Sequence, residues 1–174
     1  MLVPEISLTP QMVTRFAARF GKKIAVLHSA LSMGERADEY KRIKSGEARV
    51  VVGARSAIFA PLKNIGVIVI DEEHETSYKA ENAPTYHARE VADFRAKQHG
   101  AAFVLASATP SVESFYQAKQ GNYQLISLTR RPTAQNLPTV AVSDMREEMK
   151  NGNRSCIGLS LQREIRKNKE QGEQ

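Results

Sequence analysis

The chain has 174 residues, 41 % of them hydrophobic, which is enough for one domain with a proper core. Lys and Arg number 25 against 19 Asp and Glu, and the formal net charge of +6 favours a polyanionic partner whose phosphates those cations would neutralise. A single cysteine, Cys156, excludes an intramolecular disulfide and a cysteine-built zinc site; no run approaches the roughly 20 apolar residues of a membrane span, and Met1-Leu2-Val3-Pro4 lacks the regions of a secretory signal. A soluble, intracellular protein is expected, with any metal held by oxygen.

In chain order, Met1-Leu2-Val3 reads as the tail of a strand. Thr9-Pro10 places a capping hydroxyl before a proline at the first helical position, and Met12, Val13, Phe16, Ala17 and Phe20 then share one helical face. A strand is expected over Ile24–Leu27. Ser32-Met33-Gly34-Glu35 has capping-box spacing and opens a helix to about Lys44, closed by Gly46. Strands follow at Arg49–Val52 and Val67–Ile70, then an irregular tract from Glu75 to Arg89, a helix over Ala88–His99 stopped by Gly100, and a strand at Ala102–Ala106. The Thr-Pro device returns at Thr109-Pro110. Further strands are expected at Tyr123–Leu128 and Thr139–Val142, separated by a linker from Arg130 to Pro138, with a polar, basic helix over Ser160–Gln174. Short apolar runs alternating with amphipathic helices predict an α/β fold, a mostly parallel sheet covered by helices on both faces.

In such sheets ligands bind beyond the carboxyl ends of the strands. Asp71 and Glu72 follow directly on Val67-Ile68-Val69-Ile70. A nucleoside triphosphate site needs one acid there to hold Mg²⁺, usually through water, and a second carboxylate to orient or deprotonate the attacking water. Asp71 fits the first role and Glu72 the second. A strand that simply ends in solvated acids is the plain alternative. Ser107 and Thr109, after the next strand, would reach the same rim and could hydrogen-bond the carboxylates; alone, they also read as an ordinary cap.

Asp71-Glu72-Glu73-His74 with Ser107-Ala108-Thr109 resembles motifs II and III of the superfamily 2 helicases. The flanks narrow the likeness to the bacterial replication-restart helicases of the primosomal N-prime type: Val3 to Gln11 resembles motif Ia, Gly53 to Leu62 resembles motif Ib, and His28-Ser29, Glu35-Arg36, Ser77-Tyr78-Lys79, Tyr86-His87-Ala88-Arg89 and Asp144-Met145-Arg146 are similar as well. The resemblance implies a three-layer RecA-like lobe over residues 1–129, truncated at its N-terminal P-loop unit, because no G-x-x-x-x-G-K-[ST] string occurs. Residues 130–174 would then lead toward a zinc module and second lobe that this sequence lacks. The implied activity is that of an ATP-driven 3′-to-5′ DNA helicase using ATP and Mg²⁺. Its implied partners are single-stranded and forked DNA, the primosome and single-strand-binding proteins, in the bacterial cytoplasm at the nucleoid. The 174 residues alone are expected not to hydrolyse ATP, and to self-associate through a sheet edge or face bared by the missing unit.

Under that resemblance Asp71 would hold the metal through water, Glu72 would be catalytic, and Asp71, Glu72 and His74 would face the nucleotide. His74 reads equally as a strand-end histidine with a backbone partner. Ser107, Thr109, Tyr78, Tyr86 and His87 would couple DNA to that site, the aromatics stacking on bases or, alternatively, folding down as local core. Thr9 at a helix N-terminus, and Arg55 with Ser56 beside Gly53, would grip two phosphates of one strand; capping and turn formation are the bland alternatives. His28 and His99 read as structural. A non-enzymatic single-stranded DNA-binding module is the competing class. A metal-dependent hydrolase using Asp71 to His74 ranks last, because consecutive residues splay apart.

Overall fold

The computed structural model describes residues 1–129 and 139–172. Local signals set the first helices. Thr9 Oγ1 accepts a hydrogen bond from the Met12 amide, with Pro10 at the first position, and α1 spans Pro10–Phe20. After β1 (Ile24–Leu27), the Ser32–Glu35 capping box is formed in both directions and opens α2 (Met33–Ser45), which Gly46 ends in the left-handed conformation at φ 86°. β2 (Val50–Gly53) and β3 (Val67–Asp71) follow, then α3 (Ala88–His99), β4 (Ala102–Ala106) and α4 (Val112–Lys119).

All strand pairing is parallel: β1 lies beside β2, and β3 beside β4. Between the two pairs runs the N-terminal segment. Leu2 bridges Gly53 on one side and Ile70 on the other; its amide donates to the Val69 carbonyl at 2.7 Å and its carbonyl accepts from the Asp71 amide at 2.9 Å. The expected strand tail is therefore a central rung.

The sheet separates two apolar layers. On one face Leu2, Leu27, Val51, Ile68 and Ile70 pack with Ile43 of α2 and Ala88, Ala92 and Ala96 of α3. Three alanines four residues apart give α3 a smooth stripe that lies close on the strands. On the other face Val3, Ile24 and Val52 are covered by Met12, Phe16 and Phe20 of α1. Ala17, expected on that covered face, is exposed. By strand alternation Val67 and Val104 point to the same side as Val3, yet they stay 55 % and 42 % exposed.

Three expected elements differ. The Thr109-Pro110 pair does not cap α4; the cap is Ser111, whose hydroxyl accepts from the Ser114 amide. Tyr123–Leu128 and Thr139–Val142 have strand-like composition but no ladder partner among the described residues, and Ile126, Leu128, Val140 and Val142 are solvent-exposed. β-propensity expresses packing against neighbouring strands, so without them it yields no strand. The expected linker Arg130–Pro138 lies outside the described residues.

Contacts divide the chain into residues 1–125 and 126–174. Within the second unit, Asp144 caps α5 (Met145–Lys150) and α6 spans Leu159–Glu170. Glu148 accepts from the Leu159 amide at 2.8 Å and from Asn153 Nδ2 at 2.7 Å, doing for α6 what its cap residue Gly158 cannot. Those bonds hold the Glu148 carboxyl below the usual range.

Gly53 has no room for a side chain: a Cβ would stand 2.3 Å from the Leu27 carbonyl oxygen and 2.8 Å from Ala57 Cβ. The glycine thus has a packing reason inside the protein. Gly53→Ala is expected to cost about 1–3 kcal/mol, read as a lowered urea midpoint.

Candidate functional site

β3 and β4 pair in register up to Asp71 opposite Ala106, so the chain leaves both strands at one level of the carboxyl rim. The next residues of each strand, Glu72 and Ser107, then meet. Glu72 turns at φ 45°, the left-handed region that β-carbon-bearing residues enter at a cost, and its amide donates to Asp71 Oδ1 at 3.1 Å. The Ser107 hydroxyl lies 3.4 Å from Glu72 Oε2 and 2.8 Å from His74 Nδ1, and His74 Nδ1 stands 3.5 Å from the same Glu72 oxygen. A consistent proton assignment has Nδ1–H donate to Ser107 and the serine hydroxyl donate to Glu72. Thr109 joins through its backbone: its amide donates to Ser107 Oγ at 2.9 Å, closing the loop on itself. Glu72 and His74 are part-exposed, so this rim is open to a ligand.

Glu73 points the other way. Its side chain is 2 % exposed, and four donors converge on it: the Ser111 amide at 2.6 Å, the Ser114 hydroxyl at 2.8 Å, the Ser111 hydroxyl at 3.2 Å and Arg89 Nη1 at 3.3 Å. Burial pushes its carboxyl up, but the Ser111 and Ser114 donors and the Arg89 charge outweigh burial and leave it below the usual range. In sequence terms Glu73 has a role only as a ligand in the last-ranked metal-hydrolase reading. The available signal was Ser-x-x-Ser one residue after Pro110, a donor pair beyond the neighbouring strand.

Tyr78 cannot stack on a base: it is 1 % exposed, within the core, and its hydroxyl donates to the Asp71 carbonyl at 2.7 Å. Burial, with the charges of Asp71, Glu75 and Glu72 nearby, keeps that hydroxyl protonated far above its ordinary pKa. His87 is a helix cap, its Nδ1 accepting from the Arg89 amide at 3.2 Å. Tyr86 remains half-buried, edge-on to Phe59 with centroids 5.0 Å apart, and Arg55 sits over its ring.

Arg55 already has one terminal nitrogen engaged within the fold. Its Nη1 donates to the Ser77 carbonyl at 3.0 Å and to the Lys79 carbonyl, tying the turn on either side of Tyr78. Arg55, exposed Ser56, Arg36, Lys79 and Tyr86 line an open polar cleft of about 510 Å³ at the same end of the sheet, with Glu5 and Glu81 also on its wall. Thr9 is absent from that wall and serves as the α1 cap. The structure thus gathers Asp71, Glu72, His74 and Ser107 at one rim and Arg55, Ser56 and Tyr86 in the cleft, and it leaves Thr9 apart. Among the described residues no three His, Cys, Asp or Glu side chains form a metal-ligand group.

Residues 1–118 match the model of the DEAD/DEAH box helicase family. The chain belongs to that family. Its α/β architecture with parallel strands fits a RecA-like helicase lobe. "Replication restart protein PriA" of Bacillus subtilis is 55 % identical over 174 residues, covering 100 % of this chain and 22 % of that protein. Proteins of the same name from Synechocystis and Treponema pallidum are 47 % identical over 93 % of this chain and 46 % identical over 99 % of it, covering 20 % and 26 % of their own lengths. The chain thus spans about a fifth to a quarter of the length of these relatives. DEAD/DEAH helicases in general use ATP and Mg²⁺, and one part-buried carboxylate at a strand end beside an open second one suits the metal and water side of such a site.

Two outcomes follow from this geometry. Glu72→Gly relieves the positive φ and is expected to raise stability by up to about 1 kcal/mol, seen as a higher urea midpoint; a lower midpoint would mean the turn is unstrained. Burial and the Arg89 charge hold the His87 imidazole below its ordinary 6.5. The unfolded chain therefore binds this proton more readily, and stability falls as pH drops through about 6.5 toward the folded value. His87→Asn, which caps without titrating, should flatten that dependence in urea titrations at several pH values.

Proposed function

We propose that these residues form part of the first motor lobe of an ATP-driven 3′-to-5′ DNA helicase that acts in replication restart and primosome assembly. The observation that carries this reading is the meeting of Glu72, His74 and Ser107 beside Asp71, at one rim of the sheet, in a member of the DEAD/DEAH family. When bound, Mg²⁺–ATP supplies the phosphoryl group that water attacks. Asp71 would hold the ion through water, and Glu72 would orient the attacking water and take its proton. Ser107 and His74 fix the Glu72 carboxylate in place and limit the orientations it samples.

The cleft at Arg55, Ser56 and Tyr86 is the proposed seat of single-stranded DNA, with Tyr86 the base-facing aromatic; such a stack contributes about 1–3 kcal/mol. The route to the rim is short. Arg55 holds the backbone on both sides of Tyr78, and the Tyr78 hydroxyl holds the Asp71 carbonyl. Thr109 takes part by fixing Ser107, and His87 by starting α3.

In this reading the 174 residues contain no phosphate-cradling loop, so they do not turn over ATP alone, and zinc belongs to a module elsewhere in a longer protein. The site of action is the bacterial cytoplasm, on single-stranded and forked DNA with primosome and single-strand-binding proteins. Exposed Val67 and Val104, and β4 paired on one side only among the described residues, support self-association of a second copy along that edge.

The test is a chimera of the Bacillus subtilis relative in which this chain replaces the corresponding segment. DNA-stimulated ATPase is expected, falling at least about 100-fold with Glu72→Gln. Tyr86→Ala should weaken stimulation by DNA, while Tyr78→Phe should reduce stimulation and leave DNA affinity intact. ATPase indifferent to Glu72→Gln would refute the assignment. Salt-sensitive binding of single-stranded DNA by the isolated chain, together with a chimera that lacks ATPase, would instead favour a non-enzymatic binding module.

A further inference from the structure

Consecutive residues of the acidic tetrapeptide serve opposite sides of the backbone, and the side facing inward has no part in the chemistry assigned above. Glu73 brackets the loop that follows β4. Its amide donates to the Ala106 carbonyl at 3.1 Å, at the start of the loop, and its carboxylate accepts from the Ser111 amide at 2.6 Å, at the end. Between those two anchors lie Ser107, Ala108, Thr109 and Pro110. Within the loop the recorded bonds are the Thr109 amide to Ser107 Oγ and the contacts of Ser107 with Glu72 and His74.

The same carboxylate reaches two further elements. Ser114, in the first turn of α4, donates to Glu73 Oε2 at 2.8 Å, and Arg89, in the first turn of α3, donates to it at 3.3 Å and to the Ser114 hydroxyl at 3.0 Å. A carboxylate this buried is stable only if its oxygens are satisfied, and here the four donors come from two separate segments of chain, Ser111 and Ser114 at the start of α4 and Arg89 of α3. Movement of any of them weakens the satisfaction of a buried charge.

The geometry points to Glu73 as a positioning residue: with Arg89, Ser111 and Ser114 it clamps both ends of the 106–111 loop, and so sets the distance of Ser107 from Glu72 and His74. Its use in turnover rests on the helicase reading above; its effect on the rim does not. Glu73 is buried, away from the open rim. It acts through Ser107, by fixing the loop on which the serine is carried.

The nitrogen-15 resonance of His74 Nδ1 in the labelled 174-residue chain reads the rim directly, and Ser107→Ala supplies the value for the broken contact. Glu73→Gln keeps the shape of the side chain and removes its charge. It is expected to move the His74 resonance at least halfway to the Ser107→Ala value in a chain that still melts cooperatively, with Glu73→Asp restoring part of the shift. Ser114→Ala, which keeps the carboxylate and removes one donor, should move the resonance in the same direction by less, and it carries the test if Glu73→Gln does not fold. A lowered melting temperature with the wild-type His74 resonance in the folded variants would show a merely structural role and overturn the proposal. In the chimera, Glu73→Gln should lower kcat about tenfold with KM for ATP unchanged. If the unsubstituted chimera has no ATPase, the helicase reading fails, whereas the resonance still decides the clamp.

Discussion

The in-register parallel pairing of β3 with β4 is the constraint on which the rest of the site depends. Asp71 lies opposite Ala106, so the residues that leave the sheet from the two strands start from the same level. A slip of one residue would reverse every side chain of one strand relative to the other. Ile68 and Ile70 would then trade the core for solvent, and Ser107 would move a residue's rise away from Glu72. The burial alternation along β3, with Ile68 and Ile70 inward and Val67 outward, therefore fixes the rim by the same free energy that builds the core. The N-terminal rung adds to this, since Leu2 binds the Val69 carbonyl and the Asp71 amide and leaves β3 no freedom to slide.

At the strand end a second constraint takes over. Glu72 adopts a positive φ, which bends the chain and places Glu72 and His74 together on the open side while Glu73 turns inward. One short stretch thereby supplies both an exposed acid–imidazole pair and a buried anchor. The left-handed turn costs about 1–3 kcal/mol, and the bonds that Glu73 makes to two helices and a loop are what keep it in place. Strain and clamp are two parts of one arrangement.

Much of this was legible in the sequence, for a local reason. Thr9-Pro10, the Ser32–Glu35 box, Gly46 and Gly100 act within one turn of chain, so their effect can be read without knowing the partners. The four core strands were legible because each is a short continuous apolar run set between helical stretches. What failed depended on distant partners. Tyr123–Leu128 has the right residues for a strand and no neighbour to pair with among the described residues; Thr109-Pro110 looks like a cap, but Ser111 takes that place and bonds Glu73. Tyr78 sits in a polar tract that suggests a surface aromatic, and only the fold shows that its ring fills the core while its hydroxyl reaches back to Asp71. Asp71, Glu72, His74 and Ser107 were legible as a group because each directly follows, or lies within a few residues of, the end of a strand.

Arg55 shows why a charge in a cleft is not by itself a phosphate contact. Two carbonyls already accept from one of its terminal nitrogens, and the guanidinium lies against Tyr86. A guanidinium has five N–H donors, so an incoming phosphate can use the remaining ones without breaking those bonds. Arg55 would then carry a load from the strand to the Ser77–Lys79 backbone in a single step. Tyr78, between those carbonyls and buried, cannot absorb the displacement by rotating into solvent; it passes it to the Asp71 carbonyl through one hydrogen bond of about 0.5–1.5 kcal/mol net worth. A bond of that size can bias the position of a strand end but cannot lock it. The proposed coupling therefore works as a graded shift of Asp71 relative to the Glu72–Ser107 pair, whose own position is held independently from the far side of the backbone by Glu73.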